Sequence, residues 1–193
     1  MTRKRVCVFC GSAPGARAEY LEAARVLGAH LAHSGSTLVY GGGRTGLMGA
    51  LADAALQAGG EVIGAMPKPL VDKEVAHTGL SRLHVVASMH ERKALMADLA
   101  DAFLALPGAF GTLDELCEIL CWGQLGFHEK PVGLWNVGGY WEPLRALFDH
   151  ATEEGFLKPQ HRNIALIDDS LERLLQRMDE YQPVHLEKWW ERR

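Results

Sequence analysis

Thr37-Leu38-Val39-Tyr40-Gly41-Gly42-Gly43-Arg44-Thr45-Gly46-Leu47-Met48-Gly49 is the stretch on which the fold turns. A short apolar run ends in three glycines, and a helical pattern then continues to about residue 58. Strand, glycine turn and helix in that order open a βαβ unit. Gly41, Gly43 and Gly46 also spell G-x-G-x-x-G in the setting that a dinucleotide fingerprint needs. Such a loop presents backbone N–H groups at a helix start, where anions are favoured. A dinucleotide site further needs an acid at the end of the following strand, to hold the ribose hydroxyls. Here the next strand, 62–66, runs out in Ala65-Met66-Pro67-Lys68, and Glu61 stands at its wrong end. The loop therefore speaks for a phosphate or nucleotide rather than for NAD.

The same alternation extends in both directions. Apolar runs at 6–10, 62–66, 83–87, 103–106, 132–135 and 164–167 join 37–40 as predicted strands. Helical spacing covers 16–33, 88–101, 112–125, 140–154 and 169–181, while 67–78, with two prolines and mixed charges, reads as a loop. Strands apolar on both faces imply a parallel sheet covered on both sides. Right-handed crossovers then make the chain an α/β protein. The expectation is a single Rossmann-like domain over 1–193, with a doubly wound, mostly parallel sheet of about seven strands and helices on both faces. No linker, repeat or low-complexity tract interrupts it. The tail 182–193 reads as peripheral, with Trp189-Trp190 available to pack on a partner.

Composition narrows the function. The 193 residues are 48% hydrophobic and 23% charged, which excludes disorder. A net charge of −4 argues against nucleic acid or an anionic membrane as a partner, but permits a local basic site. No apolar run reaches the roughly 18–20 residues of a membrane span. The basic start is followed only by Val6 to Cys10 before Gly11, so no signal peptide is expected. Four cysteines make no disulfide framework, and a cytoplasmic protein is expected.

In this fold, ligands bind beyond the carboxyl ends of the strands. The first strand ends in Cys10-Gly11-Ser12-Ala13-Pro14-Gly15, where Ser12 offers a hydroxyl, although a plain turn serves equally well. The fourth ends in Ser88-Met89-His90-Glu91-Arg92-Lys93. Ser88 and Glu91 form a capping box, so Arg92 and Lys93 fall in the first helical turn. Cations there oppose the helix dipole at about 0.3–1 kcal/mol each. An anionic ligand would account for them; the alternative is a solvated basic pair. The fifth strand ends in Pro107-Gly108-Ala109-Phe110-Gly111-Thr112-Leu113-Asp114-Glu115. With Thr112 as N-cap, the turn can cradle a phosphate. Glu115 then either completes a capping box or faces the ligand for acid–base chemistry.

These segments together resemble a known family. Met89-His90-Glu91-Arg92-Lys93 and the run from Pro107 to Glu115 look like the paired signatures of the LONELY GUY (LOG) proteins, cytokinin riboside 5′-monophosphate phosphoribohydrolases once called lysine decarboxylases. The family's second signature is P-G-G-x-G-T-x-x-E, and this chain has Ala109 in place of the second glycine. Further likeness lies in Leu38 to Gly43, Gly46-Leu47-Met48-Gly49 and Trp122 to Pro131, so that it spans roughly residues 5 to 165. The resemblance implies hydrolysis of the N-glycosidic bond of a purine nucleoside 5′-monophosphate, releasing the base and ribose 5-phosphate. Arg92 and Glu115 match the family's catalytic pair. Gly108, Gly111 and Thr112, with Lys93, would hold the phosphate. Ser12, Gly42 and Gly43 would line the site, and Met89 would pack near the base. A carboxylate can stabilise an oxocarbenium-like sugar or handle the attacking water, and Glu115 can play either part. Arg92 can bind sugar or phosphate oxygens, or stabilise charge on the departing base. No cofactor and no metal is needed. The older decarboxylase name would require pyridoxal phosphate on a Schiff-base lysine, and no lysine stands in a setting for that.

Other features read more plainly. Cys7 and Cys10, three apart in a strand, point to opposite faces, and Cys117 and Cys121 are compatible with core packing. The histidines show no ligand spacing, and Glu74 reads as a solvated acid within reach of a ligand. Apolar Leu113, Leu116, Cys117, Leu120 and Trp122 cover the 112–125 helix beyond one face, which predicts a homodimer; a fully buried helix in a monomer is the alternative. The rival function is a non-catalytic nucleotide or molybdenum-cofactor carrier on the same fold. A carrier would not need Arg92 and Glu115 together.

Overall fold

Strands and helices alternate from the first strand to the last helix. The structure, a computed structural model, describes residues 4–73 and 75–184. Glu74, Trp189-Trp190 and the end of the expected tail therefore lie outside the described residues. The strands are β1 (Arg5–Phe9), β2 (Thr37–Tyr40), β3 (Val62–Pro67), β4 (Arg82–Val86), β5 (Ala102–Ala105), β6 (Val132–Trp135) and β7 (Ala165–Asp168). They form one sheet in the order β4-β3-β2-β1-β5-β6-β7. Every pairing is parallel, so the expected mostly parallel sheet is wholly so among the described residues.

The helices are α1 (Ala18–His33), α2 (Gly46–Gln57), α3 (Lys68–Val71), α4 (Met89–Leu99), α5 (Phe110–Leu125), α6 (Glu142–Glu153), α7 (Pro159–Arg162) and α8 (Leu171–Asp179). Alternation along β1 splits the core in two. Val6, Val8 and Cys10 pack with residues of α1, α2 and α8, whereas Cys7 and Phe9 pack with residues of α4 and α5. Cys7 and Cys10 thus join opposite clusters, as an offset of three in a strand requires. Strands buried on both faces explain why their sequences read as unbroken apolar runs.

Two departures from the sequence reading are local. The stretch 67–78 contains the short helix α3, and α7 was not anticipated. Both are four-residue turns with a proline at their start, where the missing N–H costs nothing.

The chain order reverses between β1 and β5. Chain leaving β1 winds outward through β2, β3 and β4, and α4 then carries it back across the sheet to β5. Such a switch point leaves a crevice beyond the carboxyl ends of the central strands.

Candidate functional site

That crevice holds a cavity of about 480 Å³, within the usual range for small-molecule sites. Ser12, Ala13, Gly41, Gly43, Thr45, Arg92, Ala109, Gly111, Thr112 and Glu115 line it together with Val8, Cys10, Met48, Met66, Leu70 and Val75. The loops after β1, β2, β3 and β5 and the start of α4 thus converge on one hollow.

Arg92 and Glu115 meet there. Arg92 Nη2 lies 3.2 Å from Glu115 Oε1, and the two side chains are only 11% and 9% exposed. The Ser88 hydroxyl accepts from the Glu91 N–H and starts α4 in the expected place. In the reciprocal bond, the Glu91 carboxylate accepts from the Ala87 N–H rather than from that of Ser88. One turn on, Arg92 Nε donates to the Ala65 carbonyl at 3.0 Å. The guanidinium thereby spans from the end of β3 to α5. Gly41 makes room for it: a Cβ at that position would lie 1.8 Å from Arg92 Nη2. The triple glycine is in part a seat for the arginine, and Gly42, at φ +78°, supplies the turn.

Glu115 reaches the cavity because α5 begins earlier than its sequence suggests. Thr112 resembles an N-cap, but the helix opens at Phe110 with Ala109 before it and no side-chain cap. Neither Thr112 nor Glu115 therefore serves a capping box. Thr112 is buried and stands over Gly108, where a Cβ would lie 2.0 Å from its Oγ1. A Cβ on Gly111, by contrast, would meet nothing within 4 Å. Ala109 has φ −102°, outside the left-handed region, so the family's glycine would bring no conformational relief here. An uncapped helix start leaves first-turn N–H groups without intrahelical partners and favours an anion.

Burial raises the Glu115 carboxyl from 4.5 to about 6, against the lowering pull of Arg92. Glu115 is thus mainly ionised at neutral pH but close to titrating. Cys10 also lines the cavity, but burial and the nearby Glu115 push its thiol well up, so it is no thiolate nucleophile.

The remaining predicted residues separate. Ser12 and Gly43 join the lining; Gly42, Met89, Lys93 and Gly108 do not. Met89 packs its sulfur 3.8 Å from Arg92 Nη1. Lys93 is turned toward α5, with Nζ 3.0 Å from Asp114 and 3.2 Å from Glu118. Adjacent residues on a helix diverge by about 100°, so Arg92 and Lys93 do not face one site. No local sequence signal marks Val75, which reaches the cavity from the segment after α3. That segment is tied to the glycine loop by the Arg44 N–H on the Val75 carbonyl and the His77 N–H on the Gly42 carbonyl. Among the described residues, no group of three His, Cys, Asp or Glu could hold a metal, and no helix is long and apolar enough to cross a membrane.

Cys117 and Cys121 are exposed rather than packed in the core. With Leu120, Phe148, Phe156 and Leu157 they line an apolar groove on the outer side of α5. The fully buried helix is thereby excluded.

The chain matches a family model described as possible lysine decarboxylase over residues 48–178. It is 47% identical to the probable cytokinin riboside 5′-monophosphate phosphoribohydrolase LOGL2 of Oryza sativa subsp. japonica, over 94% of this chain and 75% of that protein. It is likewise 47% identical to the cytokinin riboside 5′-monophosphate phosphoribohydrolase LOG1 of Arabidopsis thaliana, over 94% of this chain and 85% of that protein. Among solved structures, the molybdenum cofactor binding protein of Rippkaea orientalis superposes with a TM-score of 0.69 at 23% identity, covering 93% of this chain and 98% of that one. A Moco carrier protein from Chlamydomonas reinhardtii gives 0.70 at 20% identity, covering 92% and 96%. Identities this low speak for the fold alone.

Proposed function

The chain belongs to the LOG family of phosphoribohydrolases, and from that membership we propose that it hydrolyses the N-glycosidic bond of purine riboside 5′-monophosphates, cytokinin ribotides among them. The observation that carries the reading is the buried Arg92–Glu115 pair, 3.2 Å apart on the wall of a nucleotide-sized cavity. The uncapped start of α5 takes the 5′-phosphate, with the amides of the 109–112 turn and the Thr112 hydroxyl as donors. The ribose then lies over Glu115. As the bond from C1′ to the purine nitrogen breaks, positive charge grows on the sugar and the Glu115 carboxylate stabilises it. Water adds to C1′, its proton passes to Glu115, and the base leaves to be protonated by solvent. Arg92 holds the carboxylate in place and gives its remaining N–H groups to sugar or phosphate oxygens. None of these steps calls on a metal or a cofactor. Lys93 acts outside the phosphate contacts, as a clamp between α4 and α5.

The carrier reading is weaker. The carriers share the fold at 23% identity or less, whereas the phosphoribohydrolases share nearly half of the residues. Incubation with AMP and with isopentenyladenosine monophosphate should release adenine and the free cytokinin, each with ribose 5-phosphate, by chromatography. Tight binding of both nucleotides with no product would establish a carrier instead.

The apolar groove on α5 supports a homodimer within the same reading. Phe156 on its rim is 88% exposed, a costly position for a phenyl ring unless a second copy covers it. Phe156→Asp should turn a dimer into a monomer in sedimentation; a wild-type monomer at micromolar concentration would remove the dimer from the proposal. A cytoplasmic location, supported by four free cysteines, completes it.

A further inference from the structure

Tyr140 is not among the residues lining the cavity, yet it grips the turn that leads into α5. Its hydroxyl donates to the Gly108 carbonyl at 2.6 Å, at the short end of the O–H···O range. The phenol is itself braced. Tyr20 and Trp141 meet its ring edge-on, with centroids 5.7 and 5.0 Å away. Its own N–H donates to the Val137 carbonyl, and the N–H of the buried Trp141 donates to Asn136 Oδ1. Arg17 Nη1 ties the preceding turn to the start of α1 through the Gly138 carbonyl, at 3.0 Å. Tyr140 is thus the tip of a strut running from the end of β6 to the turn after β5.

The target of this strut matters because of peptide geometry. The 108–109 peptide is trans, so its carbonyl and its N–H point in opposite directions. Fixing the Gly108 carbonyl therefore fixes the direction of the Ala109 N–H, and Ala109 does line the cavity. Gly108 is also the residue best able to let that peptide rotate, since it has no side chain to restrain it. Its lack of a Cβ is imposed by Thr112, so the restraint has to come from elsewhere.

We infer that Tyr140 is a positioning residue: it holds the 108–109 peptide in the orientation in which the α5 start receives an anion, without touching the substrate. That the anion is a sugar 5-phosphate rests on the phosphoribohydrolase reading.

Tyr140→Phe removes the hydroxyl and keeps both ring contacts. Ribose 5-phosphate binding, measured by calorimetry, should weaken about tenfold, the worth of one hydrogen bond. The KM for AMP should rise in step, with kcat changed less than twofold and Tm lowered by only about 2–4 °C. Adenosine, which lacks the phosphate, should bind the variant and the wild type alike. Undiminished ribose 5-phosphate affinity in Tyr140→Phe would overturn the inference, as would an equal loss for adenosine. The calorimetric readout needs no turnover. A wild type that binds ribose 5-phosphate but cleaves no nucleotide would sink the enzyme reading and leave the role of Tyr140 standing. A wild type that does not bind ribose 5-phosphate would remove both.

Discussion

Glu115→Gln should lower kcat by about a thousandfold at pH 7 while nucleotide affinity stays within a few-fold, the pattern of a group that acts only in the transition state. Glutamine keeps an oxygen for Arg92 but carries no charge for an oxocarbenium-like sugar and takes no proton from water. The pH profile gives an independent check. Burial holds the Glu115 carboxyl near 6, and in the proposed mechanism the carboxylate is the form that acts. For the wild type, kcat/KM should therefore be level above pH 7 and fall about tenfold per unit well below 6. An acid limb near 4 would mean that Glu115 is not the titrating group.

The same shift makes a stability prediction. The folded chain holds this proton more tightly than the unfolded chain does, so the contribution of Glu115 is fully present below pH 4.5 and is lost as pH rises through about 6. At neutral pH the loss is on the order of 2 kcal/mol. The glutamine variant has no such term. Its Tm relative to wild type should therefore increase between pH 4.5 and 7, in calorimetric scans of both proteins. A difference that is constant across that range would contradict the buried, perturbed carboxyl.

Much of the architecture was legible, for a simple reason. Strands buried on both sides give unbroken apolar runs such as Val62-Ile63-Gly64-Ala65-Met66, and these stand out from helical spacing. The glycine turns then indicated which edge of the sheet would carry the ligand. Directions of individual side chains were not legible. Arg92 and Lys93 look alike as neighbours, and only the rotation of the helix sends one to the cavity and the other to Asp114 and Glu118. Thr112 misled because its residue type fits an N-cap, whereas the helix starts one turn earlier on Ala109, which has no capping oxygen. Cys117 and Cys121 misled because an apolar helical face reads the same whether its own core or another surface covers it. Tyr140 gave no local signal, since its partner Gly108 is 32 residues away.

Arg92→Met should be the second most damaging change, and it tests the pairing itself. The guanidinium does two things here: it lowers the Glu115 carboxyl against the effect of burial, and it braces that carboxylate against the Ala65 carbonyl. Methionine fills much of the space without charge or N–H groups. Turnover should fall at least a hundredfold at pH 7, as expected for loss of a buried charged donor at a reacting centre. The acid limb of kcat/KM should also move above pH 6, because Glu115 then has burial without its nearest cation. Arg92→Lys separates the two effects. An ammonium keeps the charge, so the limb should stay near 6, but it cannot span Ala65 and Glu115 at once, so kcat should remain low. If Arg92→Met leaves the limb in place, the two groups do not share an electrostatic site. If Arg92→Lys restores full turnover, charge alone suffices and the fork geometry is incidental. Low kcat with an unshifted limb in the lysine variant, beside a shifted limb in the methionine variant, is the combination that only a bridging guanidinium produces.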